Sequence, residues 1–226
     1  LRSLSDLELV ELQKHSNDWY VRHARVILHH RAITGKLEAS KVHLKLEAML
    51  SQAKTQAKRL RALWALHVTG GLKAKGGSRL IELLSHSDEY VRAWSIQFLC
   101  EDKKPSLRAL DKFKNLAKSD KSPVVRLYLA AALQRLPFEQ RWSILEALAA
   151  HEEDVDDHNI PRMLWLALEP MVPENQEKAL TLALSSKMPK LQEFVPRRIL
   201  GQVSAPVRKK PWQNVIKKVA PGFSVK

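Results

Sequence analysis

An internal repeat constrains the fold of this chain more than any other feature of its sequence. Segments that resemble one another recur along it, each with an arginine at the start of a long apolar run. The aligned arginines are Arg22, Arg61, Arg92, Arg126, Arg162 and Arg197. They lie about 35 residues apart, a spacing typical of stacked helical repeats. The period indicates that one supersecondary unit is repeated about six times.

Each unit contains enough residues for two helices, and the first unit shows both. Ser5 and Glu8 form a capping-box pattern that predicts a helix start. Leu7 and Val10, with Leu4, form an apolar stripe at helical spacing. A second helix is predicted to begin at Asn17 or Asp18 and to end at Gly35. In the third unit, Ser87 or Asp88 is the expected cap of the corresponding helix.

Other positions in the chain also favour helices. Several prolines fall where helices are expected to open, and proline is tolerated there because its missing amide has no helical partner; these are Pro105, Pro123, Pro137 and Pro173. No window alternates apolar and polar residues in the way that a strand requires. We therefore predict an all-α fold, an α-solenoid or α-α superhelix of about six helical hairpins, over residues 1–203.

The last segment, residues 204–226, is predicted to be a basic tail with a short capping helix. Its apolar stripe consists of Trp212, Val215, Ile216 and Val219. The tail contains no acidic residue, and its candidate polyanion-binding residues are Arg208, Lys209, Lys210, Lys217 and Lys218. The whole chain has 38 Lys and Arg against 24 Asp and Glu, a net charge of +14. Such a field favours nucleic acid, anionic membrane surfaces or acidic proteins without choosing among them. No apolar stretch is long enough to span a membrane.

The period, the two-helix unit and the apolar-Arg or Pro-Arg pair near the start of the second helix resemble HEAT repeats over essentially the whole chain. Residues 1–102 carry a closer resemblance, in the strings LSDLELV (4–10), NDWYVRHAR (17–25), ALWALHVTGGL (62–72) and HSDEYVRAW (86–94). These strings are similar to the HEAT-repeat region of membrane-bound dehydrogenase-like multidomain proteins of planctomycete and verrucomicrobial type.

The resemblance implies a parent protein with a sorbosone-dehydrogenase-type β-propeller, then helical repeats, then a cytochrome c-like haem domain. It also implies a bacterial cell envelope or periplasmic location. The sequence holds neither the propeller nor a C-x-x-C-H haem motif, since Cys100 is its one cysteine. Because the chain opens at Leu1 in what reads as the middle of a protein, we expect a processed product or an excised piece. Electron-transfer chemistry of the family would then reside outside these residues.

The repeating arginines are expected to have a structural role, because function rarely needs the same residue once per repeat. Three of them have an acid four residues earlier, which predicts helix-stabilising pairs that could also link neighbouring units; the pairs are Asp18–Arg22, Asp88–Arg92 and Glu193–Arg197. The tryptophans that follow these arginines are predicted to pack in the stacked core, namely Trp64, Trp94 and Trp165. Trp19 is expected to be more exposed.

No catalytic, cofactor-binding or metal-ligating residue is assigned. One cysteine rules out a disulfide framework and a multi-cysteine metal site, and Cys100 is predicted to be a buried, inert thiol. The acidic segment 151–158 lacks the pattern of a calcium loop and is predicted to be a solvated loop. The sequence also lacks a nucleophile elbow and a phosphate-binding loop.

The leading interpretation is a non-catalytic scaffold or protein-interaction module. Its partners would be another protein or the neighbouring domains of a larger dehydrogenase-like, haem-containing chain. The alternative is a nucleic-acid-binding solenoid, such as the HEAT-like glycosylases that excise alkylated DNA bases. That alternative requires a carboxylate beside exposed tryptophans and arginines on one concave surface. Tethering to a polyanion or a membrane surface through residues 204–226 is a third class.

Overall fold

A computed structural model describes residues 1–73 and 77–202 of the chain. In these residues the regular structure is helical, with no strand. The helices are α1 (Asp6–Glu11), α2 (Asp18–Ile33), α3 (Ala39–Gln52), α4 (Gln56–Val68), α5 (Ser78–Leu83), α6 (Glu89–Leu99), α7 (Leu107–Ser119), α8 (Pro123–Leu133), α9 (Phe138–Ala149), α10 (Ile160–Leu168), α11 (Gln176–Ser185) and α12 (Pro189–Gln202). Short 3₁₀ turns cover Leu12–Lys14, Glu152–Asp154 and Glu169–Met171.

The helices form six successive hairpins, each made of an odd-numbered helix and the even-numbered helix that follows it. The even-numbered helices pack one against the next from α2 to α12, and α7 packs against both α5 and α9 among the odd-numbered ones. All six aligned arginines lie in even-numbered helices. The predicted all-α solenoid of HEAT-like hairpins is confirmed. The predicted capping helix, and the tail residues Arg208 to Lys218, lie outside the described residues.

The helix ends follow local sequence signals. Ser5 caps α1 in a reciprocal capping box, with its backbone N–H donating to the Glu8 carboxylate at 2.7 Å. Asn17 caps α2, which ends just before Gly35, a residue with a left-handed φ of +68°. Asp88 is the cap of α6 and accepts from two backbone amides of its first turn. The capping box and the ends of α2 therefore match the sequence expectation.

Proline positions agree with the prediction in one helix and differ in another. Pro123 is the first residue of α8, where it removes an amide that has no helical acceptor. The last hairpin differs, because α12 begins at Pro189 and carries Pro196 in its interior. The buried stripe of Leu191, Val195 and Ile199 runs past Pro196. Its burial holds the helix together across the missing hydrogen bond.

The core of the described residues consists of two apolar clusters that meet in the third hairpin, one from hairpins one to three and one from hairpins three to six. Val21, Val91 and Val125 are fully buried, as the stacking of second helices requires. The predicted first-helix stripe is wrong at Leu7, which is exposed, while its neighbours Leu9 and Val10 are buried. Leu9 lies about 200° around the helix from Leu7, so one of the two must face solvent. No helix in residues 1–73 and 77–202 is both long enough and apolar enough to cross a bilayer.

Candidate functional site

Three arginines in consecutive even-numbered helices make the same set of hydrogen bonds. They are Arg59 in α4, Arg92 in α6 and Arg126 in α8. Each donates to a backbone carbonyl six residues earlier, in the loop that precedes its own helix. Each also donates to an aspartate in the corresponding loop of the next hairpin. Successive loops are thereby joined along one edge of the solenoid, and we call this set the arginine ladder.

The ladder acceptors lie at a nearly constant distance along the sequence. Asp88 follows Arg59 by 29 residues, and the two other aspartates follow their arginines by 28. Arg92 makes a bidentate bond to Asp120, with Nε and Nη2 at 2.8 and 2.9 Å from the two carboxylate oxygens. Bidentate pairing is the strongest form of an arginine–carboxylate bond. The loop geometry therefore repeats faithfully over three junctions.

The most buried pair of the ladder is Arg126 with Asp154, each only 2% exposed. Arg126 Nε and Nη2 lie 2.5 and 2.6 Å from the two oxygens of Asp154, and Nη1 donates to the Asp120 carbonyl at 2.8 Å. The solvated-loop prediction for residues 151–158 is thus wrong at Asp154. A carboxylate is buried there because it neutralises an arginine that has no access to water.

The aligned arginines are not all equivalent in the structure. Arg61 donates to the His15 carbonyl at 2.9 Å and to Asp18 at 3.2 Å, so it joins the first two hairpins in the reverse direction. Arg59, two residues earlier, is the one that matches Arg92 and Arg126. The expected Asp88–Arg92 pair is wrong, because Asp88 binds Arg59 and its own helix amides.

The remaining aligned arginines lie at the surface. Arg22 pairs with Asp18 at 2.5 Å and Arg197 with Glu193 at 2.7 Å, both at the predicted spacing. Arg162 is exposed on α10. A common structural role for all six therefore stays a prediction. Sequence reasoning missed Arg59, Asp120 and Asp154, although the repeated interval between arginine and aspartate was a usable signal.

His86 lies among the arginines of the ladder. Its Nδ1 accepts the backbone N–H of Asp88 at 2.9 Å, and its carbonyl accepts from Arg92 at 2.8 Å. Burial, together with the charge of Arg59, lowers the pKa of His86 below its usual value. The neutral ring is therefore the form that fits this junction.

A groove of about 500 Å³ crosses three hairpins on the even-numbered helices. We call it the α2–α4–α6 groove; it is lined by Asp18, Arg22, Arg25, Trp64, His67, Val68, Trp94 and Phe98. Its walls are largely aromatic. The rings of Trp64 and Trp94 meet edge to face with centroids 5.2 Å apart, and His67 stacks on Phe98 with centroids 3.7 Å apart.

The tryptophan prediction needs a correction at this groove. Trp64, Trp94 and Trp165 are half-buried and pack against the edges of the core clusters instead of lying inside them. Large indole rings that bridge successive helices keep one face accessible. Trp19 is exposed, as expected. The aromatic surface that results is continuous between α4 and α6.

The charges around the groove are unequally paired. Asp18 binds both Arg22 and Arg61, and His67 Nε2 lies 3.1 Å from Glu101. Arg25 is different, because its guanidinium stacks over Trp64 at 5.2 Å from the ring centroid. Within the described chain it donates to no carboxylate or carbonyl, and its Nε is buried without a partner. Burial also lowers the pKa of Arg25.

Other candidate reactive groups have ordinary structural surroundings. Cys100 is fully buried, and burial raises the pKa of its thiol to about 12, so the thiolate is suppressed. His29 Nδ1 lies 2.7 Å from the Val68 carbonyl, and His43 Nε2 lies 3.1 Å from the Thr69 carbonyl. In the parts of the chain that the structure describes, no group of three or more His, Cys, Asp or Glu is arranged to hold a metal ion.

Stacked helical hairpins with loops joined by side-chain bonds define an α-solenoid, a class in which helical scaffolds and interaction modules are common. A family model for HEAT repeats matches residues 77–158, from the start of the third hairpin to the loop before α10. This match supports HEAT-like repeats in the chain. No curated protein and no solved structure matches this chain.

The first prediction concerns the buried ladder pair. Replacing Asp154 by asparagine leaves the Arg126 charge buried without a counterion, which should lower the free energy of unfolding by about 3–5 kcal/mol. The measurement is urea unfolding followed by circular dichroism. Asp156→Asn, in the same loop but exposed, should change it by less than about 0.5 kcal/mol. Equal effects of the two variants would contradict the assigned role of Asp154.

The second prediction concerns the pH dependence of stability through His86. In the unfolded state His86 is protonated near the ordinary histidine pKa of 6.5, whereas in the folded state its pKa is lower. The contribution of neutral His86 to the free energy of unfolding is therefore fully present above pH 6.5, and it is lost as the pH falls through the lowered folded-state pKa. His86→Gln should flatten the fall in unfolding free energy between about pH 7 and 5. The control is His158→Gln, at an exposed loop position; an identical slope in both variants and the wild type would refute the assignment.

Proposed function

We propose that this chain is a non-catalytic scaffold that holds neighbouring domains of a larger dehydrogenase-like, haem-containing protein. One observation carries the proposal, an apolar stripe left uncovered on the first even-numbered helix. Trp19, Val26 and Ile33 in α2 are 53%, 66% and 69% exposed. They recur at seven-residue spacing, so they lie on one face of the helix. The buried residues of α2, Val21, Ala24 and Leu28, lie on the opposite face.

The exposed apolar stripe on α2 marks an interaction surface. Contiguous exposed apolar patches on soluble proteins are sites of contact with another protein or domain. Basic and histidine side chains surround the stripe, and Arg22, His23 and His30 are exposed beside it. A domain that covers it would therefore present apolar side chains within an acidic rim.

The occupant we propose is a domain of the same polypeptide. Residues 1–102, which include α2, carry the resemblance to dehydrogenase-like multidomain proteins. In those proteins the helical repeats stand between a β-propeller and a haem domain. A solenoid that joins two such domains would need a docking face for each of them, and the uncovered stripe on α2 offers one such face.

The third prediction tests this docking with a photo-crosslinker. A benzophenone amino acid at position 26, in the natural open reading frame that encodes this segment, should crosslink to a peptide of the same polypeptide outside the solenoid. Mass spectrometry identifies the joined peptides. The control position is Leu44, equally apolar and exposed but on α3. Crosslinks no more frequent at position 26 than at position 44, or none within the polypeptide, would contradict the proposal.

A second candidate function, nucleic-acid binding, is favoured by one specific observation. The α2–α4–α6 groove brings the Asp18 carboxylate beside Trp64 and Trp94 together with two arginines. This is the combination that a HEAT-like DNA glycosylase would need. Against it, Asp18 is already bonded to Arg22 and Arg61. The tail residues 204–226 remain a proposed polyanion contact.

The fourth prediction separates this candidate from the scaffold. A nucleic-acid-binding protein would bind duplex DNA with an affinity that falls steeply with salt, because binding releases counterions. For a scaffold we expect weak binding that disappears when the tail 204–226 is deleted, with the helical circular dichroism unchanged. Tight, salt-dependent DNA binding by the tail-deleted chain would favour the nucleic-acid function instead.

A further inference from the structure

We infer that the α2–α4–α6 groove is a binding site for a segment of a partner protein in which one carboxylate side chain is flanked by apolar side chains. The inference goes beyond the scaffold function and concerns a surface separate from the α2 stripe. Arg25 would bind the carboxylate, and the aromatic walls would hold the apolar neighbours.

The first argument is the unsatisfied guanidinium of Arg25. The ladder arginines each bind a carboxylate and a backbone carbonyl, whereas Arg25 has no acceptor among residues 1–73 and 77–202. A half-buried donor without a partner is costly, since such groups are nearly always hydrogen-bonded. Its Cζ lies over the Trp64 ring, 5.2 Å from the centroid, which keeps the guanidinium at the groove. A carboxylate in that plane could accept two parallel bonds.

The second argument is the chemistry of the walls. Trp64, Trp94 and Phe98 provide half-buried aromatic surface on the side of Arg25 that faces α4 and α6. Trp64 Nε1 and His67 Nδ1 are, in addition, buried without a hydrogen-bond partner. Aromatic side chains that combine apolar area with a polar atom are typical of sites that dominate the energy of protein interfaces. An apolar side chain next to the carboxylate would occupy this surface.

The third argument distinguishes a single carboxylate from a chain of phosphates. Asp18 lines the groove, and Glu101 lies 3.1 Å from His67, another of its lining residues. Both carboxylates disfavour an extended polyanion along the groove. Of the two arginines that line it, Arg22 is bonded to Asp18, whereas Arg25 makes no hydrogen bond to an acid of the described chain. The charges therefore favour an acidic peptide segment over nucleic acid.

The test uses the full 226-residue chain with ¹⁵N-labelled tryptophan, whose indole resonances are assigned through Trp64→Phe and Trp94→Phe. The probes are two capped tripeptides, acetyl-Leu-Glu-Leu-amide and acetyl-Leu-Gln-Leu-amide. We expect the Glu peptide to shift the resonances of Trp64 and Trp94 saturably. The Gln peptide should bind at least about 10-fold more weakly, because it cannot make the charge-assisted hydrogen bond to Arg25. The resonance of Trp165 should not move.

Two arginine variants complete the test. Arg25→Gln should abolish the preference for Glu over Gln, while Arg162→Gln, an exposed arginine on α10, should retain it. Arg25 is hydrogen-bonded to no carboxylate of the described chain, so its replacement leaves no acid there without a partner. The urea midpoint of the variant should therefore stay close to that of the wild type. The peptide comparison in the wild-type chain does not depend on any variant folding.

Several outcomes would overturn the inference. Equal affinity for the two peptides would do so, as would a preference for Glu that survives Arg25→Gln. The absence of a saturable shift at about 10 mM Glu peptide would also do so, because that concentration fills most of a site with a millimolar Kd. A 12-base-pair DNA duplex that shifts Trp64 and Trp94 when the Glu peptide does not would assign the groove to nucleic acid. None of these results bears on the crosslink from position 26, so failure of the inference leaves the scaffold proposal standing.

Discussion

The bond between an arginine in one hairpin and an aspartate in the loop of the next is the interaction on which the stacking geometry depends. A helical hairpin cannot bury its apolar face alone, so hydrophobic burial drives stacking but does not fix the register. The ladder fixes it, because Arg92 meets Asp120 through two directional bonds and also holds its own loop at the His86 carbonyl. Each of the three ladder junctions is thus fixed at the loop edge, while apolar side chains pack behind it.

Periodicity and capping made much of this fold predictable from sequence. Asn17 and Asp88 cap helices because their side chains accept local amides, an effect that depends on a few neighbouring residues only. Local sequence signals did not predict whether Arg59 or Arg61 would bind the loop of the next hairpin. Both lie on α4 within the scatter of the period, and they reach different hairpins. Which arginine joins which loop depends on the position of a carboxylate in another repeat.

The same limit explains why the groove was not predicted. Arg25, Trp64 and Trp94 belong to three different hairpins, and no local pattern indicates that they meet. The valine–arginine pairs of α2, α6 and α8 mark buried valines, and in α6 and α8 the arginine belongs to the ladder. Asp154 likewise appeared to be one acid among several in a polar loop, because its burial is decided by Arg126 across the junction.

The structure separates stability from recognition on the even-numbered helices. Arginines at the loop edge, such as Arg92 and Arg126, have their donors bound by carboxylates and carbonyls and therefore have little left for a ligand. Arg25 lies on the groove side of α2, where no neighbouring loop supplies an acceptor. A solenoid built in this way can change its groove residues without losing its register, because different side chains perform the two tasks. That separation lets one stacking rule support different binding surfaces.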